Sequence, residues 1–472
     1  MKTRPAGTRR LHSLTPVART WSILLLLLLA AAVQSCGRAP ADEQLAPSST
    51  VLVEPATATL PTADGTFEPT AAPSASPSPL ASPAIIEIFD LGGPTTQGRN
   101  PLAVTLSAGR IYVANEGSRN VSILQDGRVL QALPLGQGPY RLATDTASGR
   151  VYLAAETGRT LYVLEEDEIA DIWPLTLAPT AVTVSDGQVW VGGADGSIVR
   201  LDARSGHMLS ADAPLEDGMV VDLVSLEGGG VVAATFSQVH LYASASAGVE
   251  ASQPYAGYRT VASGGDRVYV CAYDRATGTT LVEELDGASL ARLRSVTVPD
   301  DTAAIAIDAL RDHLYVSGSV SNRVQLIDLA DGAVLASVTV GLSPQRLAFD
   351  GASDRLFATF FGSDTLVSLA AGDLTLVDVV PLTLRVTSLA PAEKAGVYAG
   401  LNTGAIRSIT SHGDSLVLSE VGYPVALALL PEGGGLAVLD RAASEVVLYD
   451  SVGAVVLTTD TTDEPRGLYV DS

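Results

Sequence analysis

Tyrosine and arginine side chains recur at equivalent places along this chain. Tyr140-Arg141 and Tyr258-Arg259 are adjacent pairs, and Gln345-Arg346, Tyr423 and Arg466 lie in segments of the same kind. A guanidinium group recognises carboxylate or phosphate oxygens, and tyrosine offers an apolar ring with a polar end. On an acidic protein these groups suit an anionic or sugar-like ligand. We therefore predict a ligand-binding site that contains Tyr140, Arg141, Tyr258, Arg259, Arg346 and Tyr423.

The alternative interpretation of these residues is structural. The tyrosines would then pack at the rim of the fold, and the arginines would pair with neighbouring acids. A second, weaker set of candidates lies on nearby polar turns and consists of Asn115, Glu156, Asp195, Asp274 and Asp364.

The histidines do not predict a catalytic or metal centre. His207, His240, His313 and His412 occupy different places in their surroundings, so they are not expected to converge. The acidic run Glu165–Glu168 is typical of a solvated hairpin, with weak calcium attraction as the alternative. The sequence contains no G-x-S-x-G elbow and no phosphate-binding Gly-Lys loop. We predict no catalytic residue, no metal site and no cofactor.

Charge limits the choice of partners. The chain of 472 residues has 29 basic and 52 acidic residues. A protein that binds nucleic acid needs cations at the contact surface, so this balance argues against a nucleic-acid partner.

The N-terminal residues predict export and a lipid anchor. Basic residues precede the apolar run 21–33, which is too short to span a bilayer comfortably and is typical of a secretory signal. The run ends in Val33-Gln34-Ser35-Cys36, which resembles the lipobox of bacterial lipoproteins, although Gln34 departs from the usual small residue. This resemblance implies a signal peptide over 1–35 and lipidation of Cys36; the alternative is ordinary cleavage with an incidental cysteine. Residues 36–83 are rich in Pro, Ser and Thr and predict a disordered tether.

The elements that must position the candidate residues are repeated strands. The second cysteine, Cys271, falls in one of them and is interpreted as a small buried hydrophobe. An aliphatic–aromatic–aliphatic triplet or a weaker copy recurs nine times, at Ile111–Val113, Val151–Leu153, Val189–Val191, Val231–Ala233, Val268–Val270, Leu314–Val316, Leu356–Ala358, Val397–Ala399 and Leu436–Val438.

Each copy has the same neighbours. A short apolar segment precedes it, often opened by proline, and two alternating runs separated by a Gly-containing turn follow it. Four short period-2 runs in roughly 40 residues are typical of a propeller blade. We therefore predict an all-β fold, a β-propeller of four-stranded blades over 84–472, with nine sequence repeats. The sequence favours eight or nine blades, and a seven-bladed ring with surplus strands outside it is the less favoured option. Two fragments, Ile85–Leu91 and Pro465–Val470, could help to close the ring.

The repeats are similar to the YVTN-type (YncE-like) β-propeller repeat. Tyr112-Val113-Ala114-Asn115 and the stretch from Asn322 to Asp350 carry this resemblance, whereas the unit at about 220–255 fits poorly. The resemblance implies a propeller in an extracytoplasmic setting but no single activity, because fold does not determine function.

Two functions follow as expectations. The first is a surface-exposed, lipid-anchored binding or scaffold module for a protein, glycan or cell-envelope ligand, held to the membrane through its lipid at the cell surface or in the periplasm. The alternative is an extracytoplasmic lactonase-like or lyase-like enzyme that uses the mouth of the propeller channel. That enzyme would need a histidine or paired carboxylates at one end of the channel.

Overall fold

The computed structural model describes residues 98–461, apart from 244–247, 300, 393–395, 411–412, 420 and 431–434, together with Leu468. The side chains of Arg259, Thr410 and Asp414 are also outside the described set. The predicted signal, Cys36, the tether, the fragment Ile85–Leu91 and, except for Leu468, the fragment Pro465–Val470 lie outside the described residues.

The described chain forms nine antiparallel sheets of four strands, each built from strands consecutive in sequence. We number these sheets blade 1 to blade 9. Blade 1 contains β1 (Pro101–Ser107), β2 (Arg110–Asn115), β3 (Asn120–Gln125) and β4 (Arg128–Pro134). Blade 2 contains β5 (Arg141–Thr144), β6 (Val151–Ala155), β7 (Thr160–Glu165) and β8 (Glu168–Pro174). Blade 3 contains β9 (Pro179–Ser185), β10 (Gln188–Gly193), β11 (Ile198–Asp202) and β12 (Met208–Asp212).

The middle of the chain repeats this arrangement. Blade 4 contains β13 (Asp222–Ser225), β14 (Val231–Ala234), β15 (Gln238–Tyr242) and β16 (Ala251–Pro254). Blade 5 contains β17 (Tyr258–Gly264), β18 (Arg267–Asp274), β19 (Thr279–Asp286) and β20 (Arg292–Val298). Blade 6 contains β21 (Ala304–Asp308), β22 (His313–Gly318), β23 (Arg323–Asp328) and β24 (Val334–Thr339).

The last three blades follow the same order. Blade 7 contains β25 (Pro344–Asp350), β26 (Arg355–Phe360), β27 (Thr365–Ala370) and β28 (Leu376–Pro381). Blade 8 contains β29 (Val386–Ala392), β30 (Gly396–Leu401), β31 (Ile406–Thr410) and β32 (Gly413–Leu418). Blade 9 contains β33 (Pro424–Leu429), β34 (Leu436–Asp440), β35 (Glu445–Tyr449) and β36 (Val455–Asp460). The nine repeats and the all-β propeller fold are thus confirmed.

The triplet lies in the second strand of each blade because that strand is buried on both faces. In β6, Val151 and Leu153 pack with blade 1, whereas Tyr152 packs with blade 3. The Tyr152 hydroxyl donates to the carbonyl oxygen of Ala203 in blade 3, and the Tyr315 hydroxyl donates to that of Ala371 in the next blade at 3.0 Å. The aromatic residue therefore supplies both apolar area and a polar link between blades.

Many acidic residues lie in turns. Their carboxylates accept backbone N–H groups two residues further on, which stabilises the turn. The residues that do so include Asp145, Asp195, Asp202, Asp274, Asp286, Asp308, Asp328, Asp350 and Asp450.

The apolar contacts between blades close a ring at the seventh blade. Each of blades 1 to 6 shares a buried cluster with the blade that follows it. Blade 7 shares its next cluster with blade 1, where Leu366 and Leu382 pack with Val113 and Leu124. Blades 8 and 9 share a cluster with each other, in which Ile406 packs near Val438.

The nine blades therefore divide into a ring of seven and a pair. The number of blades is thus the nine that the sequence favoured, but seven of them close the ring and the other two lie outside it, as in the less favoured option. The physical reason is that the sequence repeats give the number of four-stranded sheets, whereas ring closure depends on which blade packs on the face of blade 7 that points away from blade 6. Blade 1 occupies that place, so blade 8 is displaced from the ring.

Polar contacts attach the pair of blades 8 and 9 to the ring. Arg385 pairs with Asp364 at 3.1 Å, and the Asn402 side chain donates to the carbonyl oxygen of Ser363 at 2.7 Å. Asn322 of blade 6 donates to the carbonyl oxygen of Ala442 in blade 9 at 3.4 Å. These ring residues belong to the loops between second and third strands, so the pair sits on the ring face that carries those loops.

Candidate functional site

The innermost strands of the seven ring blades line a channel of about 420 Å³. Strand pairing places one residue per blade at an equivalent position near the start of the first strand. For example, Arg141 is opposite Ala154, Asp222 is opposite Ala234, and Arg346 is opposite Thr359. The full layer consists of Ala103, Arg141, Ala181, Asp222, Thr260, Ala304 and Arg346.

This layer contains the charged groups that line the channel. Two guanidinium groups and one carboxylate lie among small side chains, so the described lining has one positive charge in excess. The alanines of blades 1, 3 and 6 leave space around the longer side chains. Below this layer the lining is mainly aliphatic, with Leu223, Ile305 and Leu347 as examples.

Asp222 lies between the two arginines. Its Oδ1 atom is 3.5 Å from Arg141 Nε and 3.4 Å from an amino nitrogen of Arg346. Because Arg346 belongs to blade 7 and Asp222 to blade 4, this ion pair reaches across the channel. Arg346 also donates to the Thr260 hydroxyl at 3.3 Å.

Arg141 is held by its neighbours but retains donor capacity. Its Cζ atom is 4.3 Å from the centre of the Tyr140 ring, and its amino groups donate to the carbonyl oxygens of Tyr140 and Val221. Burial is the largest influence on the pKa of Arg141 and lowers it, but attraction to Asp222, together with smaller contributions from Tyr140 and Tyr258, raises the pKa above its usual value. The buried Nε atom makes no hydrogen bond among the described residues. This nitrogen faces Asp222 Oδ1 at 3.5 Å.

Tyr258 adds a neutral donor to the site. Its hydroxyl donates to Asp222 Oδ2 at 3.3 Å. Burial, and then the charge of Asp222, raise the pKa of Tyr258 well above its usual range. The phenol therefore stays protonated at neutral pH.

The structure brings together four of the six predicted ligand-binding residues, namely Tyr140, Arg141, Tyr258 and Arg346. The Arg259 side chain is outside the described atoms. Tyr423 lies between blades 8 and 9, where it is buried, and its backbone N–H donates to Asp440 at 2.9 Å. Burial raises the pKa of Tyr423, and its charged neighbours are Arg385, Asp364 and Arg441 and not the channel arginines.

The weaker candidates are mostly structural. Asn115 is buried and donates to Asn120 and Ser122 at 2.9 Å. Asp195 and Asp274 stabilise turns, as described above. Asp364 accepts the backbone N–H of Asn100 at 2.8 Å and pairs with Arg385; burial raises its pKa against these contacts.

Glu156 is the member of this second set that lies near the site. Burial raises the pKa of its carboxyl group, and the nearby charge of Arg141 opposes this shift. The neutral form is therefore favoured more than for a solvated glutamate.

Asp222 was missed by the sequence reasoning. It lies in blade 4, the unit that fits the repeat poorly, and no Tyr-Arg pair marks its segment. The available signal was positional, because Asp222 immediately precedes the apolar residue Leu223, as Arg141 precedes Leu142 and Arg346 precedes Leu347.

The other chemical groups lie elsewhere. Asp167 of the acidic hairpin accepts hydrogen bonds from Arg110 and Tyr112 at 2.9 Å, and Cys271 is fully buried. His240 of β15 bonds to Ser252 of β16 at 2.9 Å and to Asp217, which precedes β13, at 3.1 Å. His207 lies at the turn before β12, and His313 begins β22; His412 is outside the described residues.

The described part of the chain shows neither a metal-binding cluster nor a membrane-spanning helix. No group of three or more His, Cys, Asp or Glu residues there could hold a metal ion. The same residues include no helix with the length and apolar character needed to cross a membrane.

Comparison with known proteins supports the fold alone. No protein-family model matches the chain, and no curated protein matches it. Among solved structures, the chain is similar to one described as Kuenenia stuttgartiensis hydrazine synthase, with a TM-score of 0.53 and 14% sequence identity. That match covers 60% of this chain and 99% of the other chain. A computationally designed protein, Ika8, matches with a TM-score of 0.48 and 17% identity over 66% of this chain and 97% of its own.

Proposed function

We propose that this chain is a lipid-anchored, surface-exposed binding module whose propeller channel takes an anionic ligand at its mouth. The observation that carries this proposal is the layer in which Arg141 and Arg346 face a single carboxylate, Asp222, with Tyr140 and Tyr258 beside them. Two guanidinium groups that share one counter-charge can accept a second anion.

The size and lining of the channel favour a small acidic group on a larger ligand. Ligand pockets in proteins typically enclose about 300–1,000 Å³, and the channel volume of about 420 Å³ is at the lower end of that range. Guanidinium groups match the planar geometry of carboxylates. Tyr140 stacks on the Arg141 guanidinium and the Tyr258 hydroxyl donates to Asp222, so the two tyrosines hold the charged groups in position. We therefore infer that an acidic glycan of the cell envelope, recognised through its carboxylate, is the ligand.

The anchor and tether complete the proposal. A lipid on Cys36, followed by the Pro-rich segment 37–83, would place the propeller outside the membrane at a distance from it. The YVTN-type resemblance of the repeats is consistent with such an extracytoplasmic location. Mass spectrometry of the mature N-terminus tests this part: a diacylated or triacylated Cys36 is expected, and an unmodified terminus beyond Cys36 would remove the anchor.

Calorimetric titration tests the ligand. The protein would be the soluble mature chain, residues 36–472 with Cys36→Ser, and the probe would be glucuronate, with glucose as the neutral control. We expect binding of glucuronate, weaker binding as salt is raised, and at least a tenfold loss in Arg141→Ala and in Arg346→Ala. Equal binding of glucose, or unchanged glucuronate binding in folded arginine variants, would refute the proposal.

The enzymatic alternative has less support from the channel. A lactonase-like or lyase-like reaction requires a base or a pair of acids near the substrate. The described residues that line the channel include one carboxylate, Asp222, and no histidine.

A further inference from the structure

Among the described residues, two blade faces have no neighbouring blade. In the ring, one face of each blade packs on the preceding blade and the other face packs on the following blade. We call these the leading flank and the trailing flank. Leading and trailing flanks meet at eight buried clusters in the described chain. Because the ring closes at blade 7, the leading flank of blade 8 and the trailing flank of blade 9 pack on no other blade of the described chain.

The leading flank of blade 8 is abnormally exposed. It includes Leu389, which is 62% exposed. At the same register position in other blades, Val182 and Ile305 are each 6% exposed and Leu427 is 7% exposed. The equivalents Val104, Leu142 and Leu347 are half-buried. Val397 of the same flank is half-buried, although its equivalent Val151 is fully buried. The missing cover is the trailing flank of blade 7, which blade 1 occupies.

The trailing flank of blade 9 shows the complementary defect. Val446 and Leu448 of β35 are half-buried. Their equivalents in blade 6, Val324 and Leu326, are fully buried against blade 7. Leu457 of β36 is opposite Leu448 and is 52% exposed.

We propose that a second copy of this chain covers both flanks. The free leading flank of blade 8 and the free trailing flank of blade 9 are the two halves of an interface that the chain already uses eight times. Within one copy these flanks lie on opposite sides of a two-blade pair, so they do not meet each other. In a two-fold dimer, blade 9 of each copy packs on blade 8 of the other.

The product is a closed ring of four blades, two from each copy. Propellers with as few as four blades occur, and a two-fold arrangement satisfies all four free flanks at once without forming an open fibre. The dimer would leave each seven-bladed ring intact, so this inference is independent of the anionic ligand. Two lipid anchors per assembly would follow if Cys36 is acylated.

Sedimentation velocity on the soluble mature chain, residues 36–472 with Cys36→Ser, tests the proposal. We expect a dimer. Leu389→Asp alters the leading flank only, and Leu448→Asp alters the trailing flank only. Each should raise the dissociation constant at least about 100-fold, since a charge is placed in an apolar contact. Ile172→Asp is the matched control, because Ile172 is 52% exposed on the outer strand of blade 2 and should leave the dimer intact.

Mixing the two flank variants separates loss of contact from loss of folding. A mixed pair has one interface with both flanks native and one with both flanks altered. Leu389→Asp and Leu448→Asp should therefore associate with each other more tightly than either does with itself.

If Leu448→Asp lowers the unfolding temperature, Leu457→Asp replaces it. A monomeric native chain up to about 100 µM, as expected if the chain's own terminal segments cover these flanks, would overturn the proposal. A dimer that survives both substitutions, or a mixture that stays monomeric, would also overturn it.

Discussion

Replacing Asp222 by asparagine removes the shared counter-charge of the channel and nearly nothing else. The amide oxygen of the new side chain can still accept the Tyr258 hydroxyl, so the main loss is the attraction to Arg141 and Arg346. At separations of 3.4 and 3.5 Å, each pair corresponds to roughly 5 kcal/mol of gross attraction at an effective dielectric constant of about 20.

The net cost is smaller than that gross attraction. Removing one partner of a buried ion pair typically costs about 3–5 kcal/mol. The three side chains are 12–21% exposed, so water compensates in part and we expect about 3 kcal/mol. For a ring of roughly 290 residues, this lowers the unfolding temperature by about 5 °C.

The assay is thermal unfolding followed by circular dichroism, with and without a carboxylate ligand. A ligand at 100 times its dissociation constant returns about 2.7 kcal/mol, so glucuronate should restore most of the stability that Asp222→Asn loses. Asp274→Asn is the matched control, since it removes the same charge from an exposed turn where an amide oxygen can replace the carboxylate. The reasoning is refuted if both variants unfold at the same temperature without ligand, or if glucuronate does not stabilise Asp222→Asn.

Three further predictions concern the propeller itself. Tyr315→Phe should destabilise the protein by about 1–2 kcal/mol, because the carbonyl oxygen of Ala371 loses its buried donor. Denaturant titration measures this loss. The control is Phe357→Leu, which changes the equivalent position in blade 7, where there is no hydroxyl group and no such hydrogen bond to lose. Burial raises the pKa of Tyr242 and of Tyr315 to about 12. The stability that these tyrosines contribute is therefore complete below their ordinary pKa near 10 and is lost as the pH rises from 10 to 12. A tyrosinate absorbance that is complete at pH 10.5 in the folded protein would contradict this. Burial also raises the pKa of the Cys271 thiol, so Ellman's reagent should react with the Cys36→Ser chain only after unfolding, whereas rapid reaction of the native protein would show that the thiol is accessible.

The fold was predictable from the sequence because local features mark each blade. The triplet, the turn before it and the alternating runs after it are short-range features, and Val151–Leu153 shows why: alternate residues of the triplet pack on opposite neighbours. Ring closure was harder to predict because it is a long-range choice. Leu366 and Leu382 look like ordinary trailing-flank residues, and nothing local states that Val113 and Leu124 of blade 1 will cover them.

The candidate site was predictable in part for a similar reason. Tyr140, Arg141, Tyr258 and Arg346 follow a recurrent sequence position, so the closed ring brings them to one end of the channel. Asp222 occupies the same layer in an irregular repeat and was overlooked. Tyr423 follows the same sequence pattern, but it precedes the first strand of blade 9, outside the ring, and is buried near Arg385 and Asp364 instead.

The most direct test of the account is an anomalous difference map from crystals of the soluble mature chain soaked in bromide. We predict a bromide peak within hydrogen-bond distance of Arg141 and Arg346, in a channel formed by seven blades with β1 packed against β25. Bromide at surface arginines alone, or density that places blade 8 between blades 7 and 1, would contradict it.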